Sequence, residues 1–291
     1  MANSTAFMAV ENGEGVQTKT TVLRREVWYK SQWAVVLAIV LLVFAVFSLA
    51  LPRMRQGMES VITVVEDIEA PSFDKNKLES NVIEFRYGTI HYLYHKKPES
   101  KVSIIALHGP GETQSAEHWF KNLGLFDKMG SFYLMDLPGF GNSTASDTAL
   151  HIPAYTGAQT ISILMDEEGI SEDPNQKIVI VARSWGAQVV MTFLSKNKKI
   201  VDRKPYLILI SPTPSLRKIH ESLRAKLKSF EGILVFSGED PYFPRSYIEV
   251  IRSYFPNLNL EILGGSSAHQ PETEYPGIFA KLVLDSWKRM A

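Results

Sequence analysis

From residue 82 onward the chain alternates two spacings of apolar residues. Short unbroken runs, "KVSIIALHG", "SFYLMDLPG", "KIVIVARS", "YLILISP", "GILVFSG" and "LNLEILGG", each close on glycine, proline or serine. Runs of that length, bounded by turn residues, read as strands buried on both faces. Between most of them lie longer stretches with apolar residues three and four apart, around 116–128, 155–169, 186–197, 244–255 and 273–289. That is the spacing of helices with one buried stripe. Ahead of these, "VIEFRYGTIHYLYH" predicts two strands joined near Gly88. The alternation predicts an α/β domain over 82–291, with a mostly parallel central sheet and helices on both faces. Sites in such sheets form beyond the carboxyl ends of the strands. No internal repeat is present.

One apolar run is too long for a strand. "WAVVLAIVLLVFAVFSLAL", Trp33 to Leu51, holds 19 residues without a charge, and Ser48 is its one strongly polar side chain. As a helix it would be about 28 Å long, against a hydrocarbon core of about 30 Å. A helix also satisfies its own backbone polar groups, which lipid requires, so the run predicts an N-terminal transmembrane helix. Trp28, Tyr29 and Trp33 would mark one interface. Lys19, Arg24, Arg25 and Lys30 precede the run, whereas Arg53 and Arg55 follow it closely. The positive-inside bias therefore predicts a signal anchor, single-pass type II, with a cytosolic N-terminus and a lumenal or extracellular body. Ser48 and Ala50 offer a small-x-small cleavage pattern, but the apolar core and the 32 residues ahead of it are long for a cleaved signal peptide. Residues 1–32 then form a basic cytosolic tail, its first 20 disordered by composition, 33–51 the anchor, and 52–81 a polar stem of mixed charge.

Composition removes several classes of function. Thirty-one basic and 31 acidic residues cancel, so no electrostatic footprint for nucleic acid exists. Cysteine is absent, which excludes disulfides, thiolate metal sites and cysteine nucleophiles. No cofactor is expected, and no metal.

The candidate chemistry falls at three strand ends. "KIVIVARSWGAQVVMTFL" is a buried strand, a sharp turn and a helix, and Ser184 sits at the turn. A nucleophile elbow needs this context, because a strained turn lifts the hydroxyl clear while small flanking residues, here Ala182 and Gly186, let strand and helix approach. Asp240 closes "GILVFSGEDP", with Glu239 as local competitor, and His269 lies in "EILGGSSAHQP". Singly, each reads equally well as a turn residue. Together their order is nucleophile, acid, histidine, each after a separate strand. His269 would take the Ser184 proton, and Asp240 would fix its tautomer and stabilise the imidazolium. The Trp185 backbone N–H is the first expected oxyanion donor. The second belongs to the loop in "IIALHGPGET", where Pro110, after His108 and Gly109, has no N–H, so either the donor shifts to Gly111 or Glu112 or the hole has one donor. His108, Gly109 and Arg183 are expected to line the substrate pocket.

These stretches resemble the α/β hydrolases, and within them the abhydrolase-domain-14 family. The similarity runs through "GTIHYLYH", "LHG", "HWFKNLGLF", "MDLPGFGNS", "ARSWG", "PYLILISPTP", "FSGEDP", "GGSSAHQPETEY" and "LDSW", about residues 82–290. The resemblance implies an α/β-hydrolase fold, Ser184, Asp240 and His269 as its triad, an N-terminal membrane anchor as in one branch, and activity on small acyl esters. A soluble relative's removal of acetyl groups from lysine, with transfer to coenzyme A, is not carried over, because no recognisable coenzyme A site is present. Ala182, Arg183 and Trp185 depart from the family's elbow, and the loop "GPGETQSAEHW" is longer.

Between "LILISP" and "GILVFSG" only "TPSLRKIHESLRAKLKSFE" intervenes, a connecting amphipathic helix and no sizeable cap domain, which predicts an open site for small acyl groups. Asn142 opens "NST", a glycosylation sequon usable on a lumenal body. The function expected is a membrane-anchored serine hydrolase cleaving small acyl esters through an acyl-enzyme. The alternatives are a non-catalytic scaffold of the same fold, or an acyl transferase or deacetylase on the same triad.

Overall fold

The computed structural model describes residues 61–63, 68–111, 114–146, 154–213, 221–266 and 268–289. The chain divides into Met1–Glu59 and Ser60–Ala291, and every described residue lies in the second unit. The anchor expected over 33–51 falls outside the described residues, among which no helix is long and apolar enough to cross a membrane.

Nine strands form one sheet: β1 (Val61–Thr63), β2 (Glu79–Phe85), β3 (Gly88–His95), β4 (Val102–Leu107), β5 (Ser131–Met135), β6 (Lys177–Arg183), β7 (Tyr206–Ile210), β8 (Gly232–Ser237) and β9 (Leu258–Leu263). Their order is β1-β9-β8-β7-β6-β4-β5-β3-β2. β2 pairs antiparallel with β3, and β3 with β5; every other pairing is parallel. The burial follows from this. β5, β7 and β8 are buried at every position because helices cover both faces, so their sequences are unbroken apolar runs. β2, at one edge, instead alternates exposed and half-buried residues.

The helices are α1 (Leu123–Met129), α2 (Ala154–Glu167), α3 (Trp185–Lys196), α4 (Lys198–Asp202), α5 (Glu221–Leu227), α6 (Arg245–Tyr254), α7 (Pro271–Glu274) and α8 (Pro276–Lys288), with a 3-10 helix over Ala116–Asn122 ahead of α1. α2 to α6 pack on one face of the sheet, around Ile180, Leu209 and Phe236. The 3-10 helix, α1 and α8 pack on the other, around Val181, Ile208 and Val235. Consecutive residues of one strand thus feed two cores. Between β7 and β8 the described residues hold one seven-residue helix, α5.

The folded body begins before residue 82, which corrects the expected stem. β2 starts at Glu79, β1 runs parallel to β9 through Thr63 against Leu263, and Phe73 and Leu78 pack on the second core. The reason is local: these apolar positions are isolated in polar sequence, without the periodicity that marks an element, yet they cover the sheet where β3 and β5 meet. Phe73 sets its ring edge-on to Phe132 at 5.5 Å. The expected helix over 116–128 is a 3-10 turn followed by α1.

Candidate active site

From β4 the chain passes to β5 on one side and to β6 on the other, so the order reverses between β4 and β6. A crevice opens beyond the carboxyl ends of strands at such a point. Ser184 follows β6 there with φ 49° and ψ −119°, a left-handed backbone that a side-chain-bearing residue rarely adopts. Its amide donates to the Ile210 carbonyl at 2.8 Å and its carbonyl accepts from Ala187 N–H at 3.1 Å, so sheet and helix fix the turn from both sides. Gly186 is required by contact: a Cβ on it would lie 2.6 Å from the His108 carbonyl oxygen.

The three predicted groups meet. His269 Nε2 is 3.0 Å from Ser184 Oγ, and His269 Nδ1 is 2.7 Å from Asp240 Oδ2. The other Asp240 oxygen accepts the amides of Tyr242 and Phe243 at 2.9 and 3.2 Å, a local turn that locks the carboxylate. Burial pushes the Asp240 carboxyl upward, but the hydrogen bonds from His269, the Tyr242 amide and Ser211 outweigh it and hold the group below the usual carboxylate range. An ionised Asp240 accepts a hydrogen bond from Nδ1–H, so Nε2 is the free base and Ser184 Oγ–H donates to it. Glu239, the sequence competitor, is exposed, and its amide donates to the Ser266 carbonyl. Tyr242 and Phe243 set their rings edge-on to the imidazole at 5.2 and 4.9 Å.

Sequence reasoning missed Ser211. It follows β7 with φ 40°, and its hydroxyl donates to Asp240 Oδ2 at 3.2 Å. "LILISP" carries the signal, a polar residue closing a buried strand beside the nucleophile strand.

A cleft of about 750 Å³ lies over the triad, lined by Pro110, Gln114, Arg183, Ser184, Tyr242 and His269 among others. Arg183 lines it, although the residue is only 4% exposed. Two expectations for the pocket are corrected. His108 is fully buried beneath the site: Nδ1–H donates to the Gly109 carbonyl at 2.6 Å, and Nε2 accepts the Leu137 amide at 3.1 Å. Burial pushes its pKa down to about 4, so it is neutral. Gly109 is not a lining residue either; it is buried behind Arg183 and Ser184, where a Cβ would meet Arg183 Nη1 at 2.7 Å and Ser184 Cβ at 3.3 Å.

The oxyanion expectations divide. Trp185 is the first residue of α3, with its amide at the helix start and its ring 6.2 Å from Phe140 rather than in the cleft. Gly111 has φ 139°, and its carbonyl accepts the Gln114 amide at 3.0 Å. That turn brings Pro110 and Gln114 to the cleft wall in place of Gly111, and Glu112 lies outside the described residues.

A second Ser–His–Asp arrangement lies off this site. Ser80 Oγ is 2.9 Å from His91 Nε2, and His91 Nδ1 is 2.7 Å from Asp136 Oδ2. Asp136 also accepts the amides of Ala116 and Asn142. It is a pin that joins β3, the 3-10 helix and the loop carrying Asn142. Ser80 is the second residue of the extended edge strand β2, paired with Leu93, and its backbone is not strained. Asn142, the sequon residue, is exposed. Among the described residues no cluster of three or more acidic or histidine side chains is arranged to hold a metal ion.

Among solved structures, a CIB-like hydrolase from Thermoplasma acidophilum is similar with a TM-score of 0.60 and 23% identity, over 73% of this chain and 99% of that one. A carboxylesterase from Bacillus subtilis gives 0.57 and 17%, over 72% and 91%. A naproxen esterase from the same organism gives 0.57 and 16%, over 72% and 91%. At such identities the likeness is one of fold. No match was found among curated protein sequences. The model of the alpha/beta hydrolase family matches residues 104–289, well over half the chain, and the chain belongs to that family.

Proposed function

We propose that this protein is a serine hydrolase that cleaves small acyl esters, with Ser184 as nucleophile, His269 as general base and Asp240 as its orienting partner. One observation carries the reading: a serine at φ 49° with its hydroxyl 3.0 Å from an imidazole whose far nitrogen is 2.7 Å from an ionised carboxylate. A serine hydroxyl needs that base, because it is a weak nucleophile until its proton is accepted. Ser184 Oγ attacks the acyl carbon while His269 Nε2 takes its proton, and Asp240 stabilises the imidazolium. The tetrahedral intermediate collapses, the alcohol leaves with the proton from Nε2, and water then repeats the sequence on the acyl-enzyme. The Trp185 amide faces the developing oxyanion. Pro110 offers none, and a hole with one donor would turn over about a hundred- to thousandfold more slowly.

A cleft with no cap domain among the described residues, and the esterase names of two structural neighbours, support small, accessible ester substrates. The finer resemblance, to the abhydrolase-domain-14 family, rests on the motifs from "GTIHYLYH" to "LDSW". Its anchored branch supports a membrane span over 33–51 with a cytosolic N-terminus, and a glycan on Asn142 would follow from a lumenal body. The deciding experiment is steady-state acetyl-ester hydrolysis, paired with fluorophosphonate labelling. Turnover and labelling that vanish in Ser184→Ala are expected; an unlabelled, inactive wild-type protein would sink the proposal. Pro110 favours the second reading, a hydrolase-fold scaffold, which that same negative result would leave standing.

A further inference from the structure

We propose that Arg183 is a positioning residue that fastens the loop carrying His269 to the strand carrying Ser184. The inference rests on the hydrolase reading above and assigns Arg183 a different task from the substrate contact its place in the elbow suggests. Its guanidinium reaches the His269 main chain with two groups: Nε–H and Nη2–H donate to the His269 carbonyl at 3.3 and 3.1 Å. Nε also stands 3.4 Å from Glu272 Oε1, three residues further along, in α7. Arg183 therefore grips both ends of the His269–Glu272 turn, and its neighbour in the chain is the nucleophile. Nη1–H donates to Gln114 Oε1 at 3.2 Å, which ties in the loop across the cleft.

The support for this grip is itself buried. Glu272 is 0% exposed and Arg183 4%, so each charge has the other as its counter-ion away from water. His118 Nε2, from the 3-10 helix, meets the same Glu272 oxygen at 2.6 Å, and Asn122 Nδ2–H donates to the Glu272 carbonyl at 3.0 Å. Asp240 holds the ring of His269 and Arg183 holds its backbone. A base located by two tethers keeps Nε2 within reach of Ser184, and a misplacement of about 1 Å costs on the order of a hundredfold in rate.

The test compares Arg183→Met, Arg183→Lys and Glu272→Gln in the full-length chain, with thermal midpoints as the folding control. Acetyl-ester kinetics and the downfield proton resonance of His269 Nδ1–H are read together. For Arg183→Met, kcat is expected to fall about 10- to 100-fold with KM within about twofold, and the resonance to shift or broaden. Arg183→Lys, which restores the charge but one donor group, should lie between, and Glu272→Gln should move in the same direction by less. If Arg183→Met does not fold, the Lys and Gln variants carry the test. A raised KM at wild-type kcat would make Arg183 a substrate contact and overturn the proposal, as would unchanged kinetics with an unchanged resonance. Should the wild type neither turn over nor label, the hydrolase reading fails on its own account. The resonance then still decides, and an unmoved signal in Arg183→Met removes the tether.

Discussion

Asp240 distributes its work over two oxygens. One is locked by the Tyr242 and Phe243 amides, the other receives His269 and Ser211. Asp240→Asn keeps the shape but presents an N–H to Nδ1, so the imidazole takes the wrong tautomer. A fall in kcat on the order of 10⁴ is expected in ester kinetics. Ser80 tests whether base geometry alone makes a reactive serine. It has the His91–Asp136 pair but sits on extended backbone, so fluorophosphonate applied to Ser184→Ala should leave the Ser80 peptide unmodified in a mass spectrum. His108 gives a pH signature away from the chemistry. Its folded pKa is about 4 against an ordinary 6.5. Between those values the unfolded chain binds the proton and the folded chain does not, so stability falls as pH falls through this window, by about 3 kcal/mol in all. Chemical denaturation across that range should show the slope, flattened in His108→Asn. Asp136 and Asp240 are held down and lose their contribution only below the ordinary carboxylate range, outside this window.

At the scale of elements, the elbow depends on α3 lying against β4. Gly186→Ala would force a methyl into the Leu107 and His108 carbonyls, 3.1 and 2.6 Å away, and backbone cannot yield as a side chain can. A loss of about 2–3 kcal/mol in urea denaturation, with ester turnover reduced further as Ser184 is displaced, is expected. This strand–turn–helix was legible because its signals are local: an unbroken apolar run, a small residue on either side of Ser184, and a helical stripe behind it. The central strands β5 to β8 were legible for the same reason, since burial on both faces leaves almost no polar position to interrupt them. Phe73 and Leu78 were not, because isolated apolar residues carry no period, and their burial depends on where the distant strands β3 and β5 come to lie. The roles of His108 and Gly111 were misread for a related reason. "HGPG" names the residues of the loop, but the turn closed by Gln114 on Gly111 decides which of them faces the cleft. The ion pair of Arg183 with Glu272 was not legible, because the two are 89 positions apart in the chain and nothing local announces a buried counter-ion.

At the scale of the whole molecule, the proposed anchor puts the catalytic unit across the membrane from a basic N-terminal tail. In sealed vesicles the C-terminal body should resist added protease until detergent is supplied. A glycosidase should then sharpen or shift its band on a gel, with Asn142→Gln removing the shift. Cleavage of the body without detergent would overturn the orientation. The spacing of the triad adds a consequence in time. Ser184 and its base are 85 positions apart, with the Asp240 carboxylate 29 before the histidine. Synthesis runs from the N-terminus, so the nucleophile strand emerges long before the groups that activate it. A nascent chain, or one truncated ahead of residue 269, carries Ser184 without its base. On the proposed triad the chain is therefore silent while it is being made, and becomes competent only once the loop carrying His269 has packed against the turn at Ser184.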